Sequence, residues 1–515
     1  MPRSKTPSFI TELPIIVCSK SERELRSRFQ AGRQLYNACL GEAMTRVKLI
    51  KNSEVYKKAT TIPRTIQKNQ EYVPNPERKR LFNEAWKQYR FSEYELHSYA
   101  TIVARQSKWI AQKVDSNTQQ KLATRAFNAA KKVLLGQSKK VRYKVSSRFR
   151  SMEGKTNSSG IRWKNERLVW GKLKLDAIID IDNPVIKHGV SSKVKYVRIL
   201  WRELNGKRRW YVQLINEGWP YQKPQNYVSD GVIGLDLNIC NIAYVGDKKA
   251  GLLPFAQNVT TYQKEIRRLE RKMERSRRAN NPDNYEPDTL IQQGTKIIIK
   301  KGQVIKGKKQ GNNSQIYLKT RRKKREFQRR KSAYAKCQNR KIVNEILRHG
   351  KHIKTENVSV KGWQKRYGKA IGAKSPGFVQ SEIARKAESA GGSFQKFSLY
   401  KTALSQTHLN GERIKKSLSQ RVHRDVTGVV MHRDLFSAYL ARFVNQDKLS
   451  VHLARKEWER SEPICLEAWQ QYQQLASGVG SSETLRSDSS AEQVSLSLGS
   501  TNQISHEGLK VSIDS

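Results

Sequence analysis

The chain has 515 residues, with 100 Lys and Arg against 45 Asp and Glu, for a formal net charge of +55. That length accommodates about two to four domains, and so large a basic excess points to a polyanion, nucleic acid before an acidic membrane surface. No apolar stretch approaches the ~18 residues that span a bilayer, the N-terminus lacks the apolar run of a secretory signal, and five scattered cysteines (Cys18, Cys39, Cys240, Cys337, Cys465) exclude a disulfide framework or a Cys-rich zinc site.

A cytoplasmic, nucleoid-associated protein with no membrane partner is expected. Along the chain, "FITELPIIV" reads as a strand from its β-branched content. Residues 21–140 then read as helices. Ser21 followed by Glu24 has the capping-box spacing, and Leu25, Phe29, Leu35, Tyr36 and Leu40 can share one apolar face. The stretch "DSNTQQKLATRAFNAAKKVLLG" is helical up to Gly136 and carries a basic face with Arg125.

From 141 to 228 the pattern changes to strands. In "VRILWRELNGKRRWYVQLI", Val197, Ile199 and Trp201 alternate with polar neighbours, Asn205-Gly206 supplies a type I′ turn, and Trp210, Val212 and Leu214 alternate on the return. With "RLVWGKLKLDAIIDI" this suggests a small antiparallel barrel. A helix follows with Ile266, Leu269 and Met273 on one side, and residues 279–315 read as a mobile loop. A long helix comes next, its buried side marked by Phe327, Tyr334, Ile342 and Ile346 and its end by Gly350. Its basic run includes Arg321, Arg322, Lys323, Lys324, Arg325, Arg329 and Arg330 and one acid, Glu326, which suits a phosphate-binding face. The serine-rich segment 475–515, with only Arg486 and Lys510 basic, is expected to be a disordered tail.

Three carboxylates sit in apolar or basic settings. Asp236 lies in the strand-like "GVIGLDLNIC", Glu356 ends the short strand "HIKTE", and Asp434 starts a helix in which Phe436, Leu440, Phe443 and Val444 recur at helical spacing. Singly, Asp236 reads as a strand-end turn residue, Glu356 as a surface acid and Asp434 as an N-cap. Jointly, two strand acids and one helix-start acid can converge on one pocket. Three ionised carboxylates cannot crowd together without cations. Two magnesium or manganese ions would relieve the repulsion and give a phosphodiester hydrolase.

The order and local wording resemble the three RuvC motifs of the TnpB family, transposon-encoded RNA-guided endonucleases related to type V CRISPR effectors. "GVIGLDLNICNIAYV" resembles the first motif, "IKTENVSVKGWQKRYGKAI" the second and "HRDLFSAYLARF" the third. The stretch ending "QRVHRDVTGVVMHRD" is similar to the target-nucleic-acid-binding segment before the third motif, and "LYNACL" and "RSRRANNPDN" also look like this family. The resemblance spans about residues 8 to 470.

It implies a multidomain α/β protein: an RNase H-like (RuvC) nuclease core, a five-stranded mixed sheet flanked by helices, with an N-terminal β-barrel wedge domain interrupted by a helical recognition domain. The implied division is 1–20 and 141–228 for the wedge, 21–140 for the helical domain, 229–377 for the first two nuclease motifs with inserted helices, 378–428 for a ribbon-like segment, 429–474 for the third motif and 475–515 for the tail. Carried over, Asp236, Glu356 and Asp434 are the metal-binding catalytic acids, and Lys361 and Arg433 join the basic helix in contacting nucleic acid. The implied partners are a guide RNA and a double-stranded DNA target, read as an RNA–DNA heteroduplex beside a short flanking motif.

Two departures stand out. Relatives carry a four-cysteine zinc ribbon where this chain has His408, Asn410, Asp425 and Thr427. Asn and Thr are poor zinc ligands, so a zinc-free ribbon is expected. Many relatives have Asp-Arg-Asp-x-Asn-Ala, whereas this chain has His432-Arg433-Asp434-Leu435-Phe436-Ser437-Ala438, leaving Asp434 as the one acid there. The competing readings are a guide-RNA-dependent binder without efficient cleavage, acting as a repressor or transposition-targeting subunit, and an unguided basic nucleic-acid-binding protein or DDE-type transposase.

Overall fold

A computed structural model describes residues 6–68, 71–307, 311–417 and 419–478. The chain divides into two compact units, Met1–Gln225 with Tyr262–Arg329, and Asn226–Thr261 with Arg330–Ser515. Both mix helices and strands, and no helix among the described residues is long and apolar enough to cross a membrane.

The first unit opens with strand β1 (Ser8–Pro14) and a 34-residue helix, α1 (Ser19–Asn52). Leu25, Phe29, Tyr36, Leu40, Val47 and Ile50 recur at intervals of three, four or seven residues and are all buried, so one stripe of the helix is committed to the core. Its start differs from expectation. Cys18 stands at the N-cap and no side chain caps the helix; the Ser21 hydroxyl donates backward to the Cys18 carbonyl at 3.0 Å. A second helix, α2 (Ser116–Leu134), is capped by Asp115, which accepts from the Thr118 amide, and gives way to Gly136 at φ +70°.

Strands β2 (Ser151–Glu153), β3 (Val194–Leu204) and β4 (Lys207–Glu217) join β1 in an antiparallel sheet of order β1-β4-β3-β2. Asn205 and Gly206, at φ +50° and +74°, form the turn between β3 and β4. Trp201 pairs across it with Trp210, and both rings are buried with Val197, Ile199, Val212 and Leu214. A separate three-stranded antiparallel sheet spans Ile161–Lys164, Arg167–Trp170 and Leu173–Asp176.

Residues 262–329, expected with the nuclease segment, pack into this first unit instead. Arg325 of this segment pairs with Glu203 of β3 at 3.3 Å, and Lys324 pairs within the segment with Glu270 at 2.7 Å. The 279–315 segment is not a plain loop. Strands Thr289–Gln293 and Lys296–Lys300 form a hairpin around Gly294 (φ +62°), because β-branched residues flank a two-residue turn. In the long helix, α4 (Gln315–Leu347, following α3 at Gln263–Asn280), Tyr334 is exposed and Ala335, Val343 and Ile346 carry the buried side.

The second unit is built on a mixed five-stranded sheet. Strand β5 (Val232–Leu237) pairs antiparallel with β6 (Asn241–Val245), which pairs antiparallel with β7 (Ala250–Pro254). On its other side β5 runs parallel to β8 (His352–Glu356), and β8 parallel to β9 (Ser393–Phe397). Side chains alternate across this sheet. Ile233, Leu235 and Leu237 point to one face and pack with Val343, Ile346, Val379 and Ile383. Ala243, Val245 and Leu252 point to the other and pack with Leu435, Phe436 and Tyr439 of helix α5 (Arg433–Ala441) and with Trp458 and Cys465 of α6 (Trp458–Gly478). Because α6 continues through residues 475–478, the expected tail cannot start at 475; residues 479–515 lie outside the described part of the chain.

Candidate active site

A glycine sets the geometry. Gly234 and Asp236 are two positions apart on β5 and so share the face that meets α5. A β-carbon on Gly234 would lie 1.9 Å from the Ala438 carbonyl oxygen and 2.9 Å from the Arg442 amide, so the absence of a side chain lets strand and helix touch backbone to backbone. Ala438 stands one helical turn after Asp434. Two residues of strand advance about 6.6 Å, and four residues of helix about 6 Å. With Gly234 against Ala438, Asp236 therefore comes level with Asp434.

Glu356 reaches the same place from the neighbouring strand. Parallel pairing sets Gly234 beside Lys354 and Leu235 beside Thr355, so Glu356 at the end of β8 stands level with Asp236. Lys354, on the same face as Glu356, donates to the Arg442 carbonyl at 3.0 Å and ties β8 to the end of α5. Both strand acids thus lie at the carboxyl ends of adjacent parallel strands, where open α/β sheets place their ligands.

Electrostatics ties the three acids together. Burial, and then the charges of Asp434 and Glu356, hold the Asp236 carboxyl well above its ordinary range; Arg433 and Arg421 oppose the rise in part. Burial pushes Glu356 up to about 7, although one of its oxygens accepts from the Leu404 amide at 3.3 Å. Asp434 is 1 % exposed, and its Oδ2 is buried with no hydrogen-bond partner. Its nearest cationic groups are Arg433 Nε, 3.6 Å from Oδ1, and Arg421 Nη1, 3.8 Å from Oδ2. A carboxylate oxygen left unbonded in the interior is costly. Hard divalent cations take such oxygens as ligands, so this donor set fits magnesium or manganese.

Several residues stand differently from the sequence reading. Asp434 is not the cap of α5: His432 is, and its Nδ1 accepts from the Asp434 amide at 3.3 Å. Arg433, expected on nucleic acid, is buried; its guanidinium donates to the Gln420 carbonyl at 2.9 Å and the Ser417 carbonyl at 3.3 Å. On α4, Lys324 and Arg325 are engaged in the ion pairs above and Arg329 in one with Glu326 at 2.6 Å, whereas Arg321, Arg322 and Lys323 are exposed. Arg330 lies on the same helix, and Lys361 is exposed near the start of helix Val360–Lys374. Arg421 and Leu404 escaped the sequence reading, since their roles depend on partners distant in the chain, Asp434 and Glu356. Gly234 carried a signal that was passed over, a glycine inside a strand pattern, which marks close backbone approach.

The ribbon-like segment is organised around Asp425. Its carboxylate accepts from the Leu409 amide (3.0 Å), the Thr427 amide (3.0 Å), the Thr427 hydroxyl (2.8 Å) and His423 Nε2 (2.8 Å). Burial alone would raise this acid, but these bonds outweigh it and hold it well below the usual carboxylate range. Gly411 and Gly428, at φ +89° and +92°, make the turns. His408, His423 and Asp425 bring possible metal-ligand atoms within 4.8 Å of one another. Several of these atoms are engaged: His408 Nδ1 accepts from the Val426 amide at 3.0 Å, and His423 Nδ1 meets the Lys416 ammonium, while His408 Nε2 is buried with no hydrogen-bond partner. Asn410 turns away to accept from the Glu412 amide. The sequence reading missed His423, although its i, i+2 spacing to Asp425 was visible.

No protein-family model and no curated protein matches the chain. Two solved structures align with most of it. One is a cryo-EM structure of a Cas12f1–sgRNA–target DNA complex, 11% identical, covering 85% of this chain and 98% of that chain with a TM-score of 0.38. The other is a cryo-EM structure of a CRISPR–Cas12f ternary complex, 12% identical, covering 84% and 98% with a TM-score of 0.25. At such scores neither alignment assigns a family, and the functional reading rests on the chain's own residues.

Proposed function

We propose that the chain is an RNA-guided DNA endonuclease with a metal-dependent, RuvC-like active site formed by Asp236, Glu356 and Asp434. The observation that carries this reading is the pressure of the Asp434 and Glu356 charges on the buried Asp236 carboxyl, with the Asp434 oxygen left unbonded inside the protein. The mixed five-stranded sheet, with acids on two adjacent parallel strands and a third on the helix packed across them, supports an RNase H-like core. Guidance by RNA rests on the resemblance of the ordered motifs to the TnpB family and on the +55 charge.

Two divalent ions held by these carboxylates would activate a water and stabilise the leaving oxygen of a phosphodiester. The chain's own residues prepare the place. Gly234 allows the strand and helix acids to face each other, and the Leu404 amide fixes the Glu356 carboxyl. Arg421 and Arg433 set positive charge beside Asp434. Exposed cations on α4, Arg321, Arg322 and Lys323, supply phosphate contacts that position the nucleic acid without reading its sequence.

Sequencing the RNA that co-purifies with the protein tests the guided part. A single structured RNA at fixed stoichiometry, ending in a variable stretch, is expected. A mixture reflecting total cellular RNA would rule out a dedicated guide.

A further inference from the structure

A second polar site lies within the first unit. The tip of the β3–β4 hairpin, the start of α1, the turn at Ser146–Arg148 and the first turns of α4 enclose a cleft of about 500 Å³. Arg26, Arg208, Arg321, Arg322 and Arg325 line it, against one carboxylate, Glu203. Arg26 is paired with Glu22 at 2.8 Å and Arg325 with Glu203 at 3.3 Å. Arg208, Arg321 and Arg322 form no ion pair among the described residues.

Arg208 is held in a fixed attitude. Its guanidinium lies 4.2 Å from the centre of the buried Trp201 ring, which aims its planar fork. Burial, then the charge of Arg26, pull Arg208 below its ordinary range, with Glu22 and Glu203 opposing the fall; five arginines against one lining carboxylate leave the cleft positive. Three unpaired guanidiniums from two separate elements exceed what one small anion can engage, and suit successive phosphates of a strand. The lone acid, Glu203, is paired with Arg325, and a carboxylate with two oxygens has room to accept from a further donor. An ionised Glu only accepts hydrogen bonds, and the donor that RNA presents beside each phosphate, and DNA lacks, is the ribose 2′-hydroxyl.

We propose that this cleft binds a ribose-phosphate segment of RNA, with Arg208, Arg321 and Arg322 on phosphates and Glu203 accepting from a 2′-hydroxyl. The inference deepens the RNA-guided reading by assigning where and how RNA is told from DNA, and its test reads binding alone.

The full-length protein is titrated into fluorescein-labelled 20-nucleotide oligouridylate and, separately, oligodeoxyuridylate, which differ only in the 2′-hydroxyl, with anisotropy read at several NaCl concentrations. Arg208→Ala with Arg322→Ala should weaken oligouridylate binding about tenfold and flatten the logarithmic salt slope by about 1.4, or about 0.7 per lost contact on a single strand. Arg321→Ala with Arg322→Ala, on an exposed helix face where folding is not at stake, should do the same. Lys172→Ala with Lys187→Ala removes equal charge elsewhere and should change affinity less than about threefold. Glu203→Ala should bring the RNA-to-DNA affinity ratio toward one. Arginine pairs that behave like the lysine control would overturn the site, and an unchanged ratio in Glu203→Ala would overturn the 2′-hydroxyl assignment. If these effects appear while the protein cuts no DNA, the cleft stands and the nuclease reading falls; cutting without them gives the converse.

Discussion

Gly234 and Ala438 touch backbone to backbone: a β-carbon on the glycine would lie 1.9 Å from the alanine carbonyl oxygen. The neighbouring residues on the same faces, Asp236 and Asp434, are brought together by that contact. Overpacking a tight core costs about 1–3 kcal/mol, and here backbone rather than a flexible side chain must yield. Gly234→Ala should therefore lower the thermal midpoint by several degrees and cut magnesium-dependent cleavage by more than tenfold. Differential scanning calorimetry and a cleavage time course check the two effects. A variant as stable and active as wild type would show that the contact does not set the site.

Each acid of the candidate site is open to substitution. Asp236→Ala, Glu356→Ala or Asp434→Ala should abolish cleavage yet leave target binding within a few-fold, because affinity comes mainly from phosphate contacts and base pairing. Gel-shift and cleavage assays on the same preparations separate the two. Near wild-type cutting by any one variant removes that residue from the assignment.

Glu356 gives a pH dependence with a definite sign. Its carboxyl rises from an ordinary 4.5 to about 7 on folding. A carboxyl raised in the folded state contributes full stability below its unfolded pKa and loses that contribution as pH climbs through the folded one. In EDTA the protein should therefore lose stability between about pH 4.5 and pH 7, by an amount on the order of 3 kcal/mol. Glu356→Gln should flatten that part of the profile. Thermal melts across pH in EDTA measure it, and equal slopes for wild type and variant would dismiss the burial of Glu356 as the cause.

The ribbon-like segment should hold together without zinc. Elemental analysis of purified protein is expected to find no stoichiometric zinc, and chelators should leave the segment's protease resistance unchanged. Asp425→Ala removes the acceptor of four hydrogen bonds and leaves the Leu409 and His423 donors buried, at a cost of about 3 kcal/mol or more. Limited proteolysis should then cut near residues 408–428. One tightly held zinc per chain, released by His408→Ala, would reverse this picture.

What the sequence made legible was local. The Asn205-Gly206 hairpin, the strand at 352–356 and the helix ending before Gly136 follow from turn chemistry and periodicity, which neighbouring residues decide. The three acids were legible through their apolar and basic surroundings and through their order. Illegible features depend on partners distant in the chain. Arg433 looked like a surface cation, yet its guanidinium is spent on the carbonyls of Ser417 and Gln420. The Cys18 start of α1 defeated the capping-box pattern because Ser21 bonds backward into the turn. The hairpin at 289–300 was hidden by surrounding glycines and lysines, and the association of 262–329 with the first unit involves a partner distant in the chain, Glu203, which pairs with Arg325.

The most direct test joins guide, metal and site in one reaction. Protein purified with its own RNA is incubated with a plasmid library that carries the complement of the RNA's variable end beside randomised flanking bases. Wild type with magnesium should linearise a subset of plasmids sharing one short flanking motif, and EDTA or Asp434→Ala should leave the whole library supercoiled. Cleavage that persists in EDTA, or that Asp434→Ala performs at the wild-type rate, would contradict a metal-dependent site built on Asp236, Glu356 and Asp434.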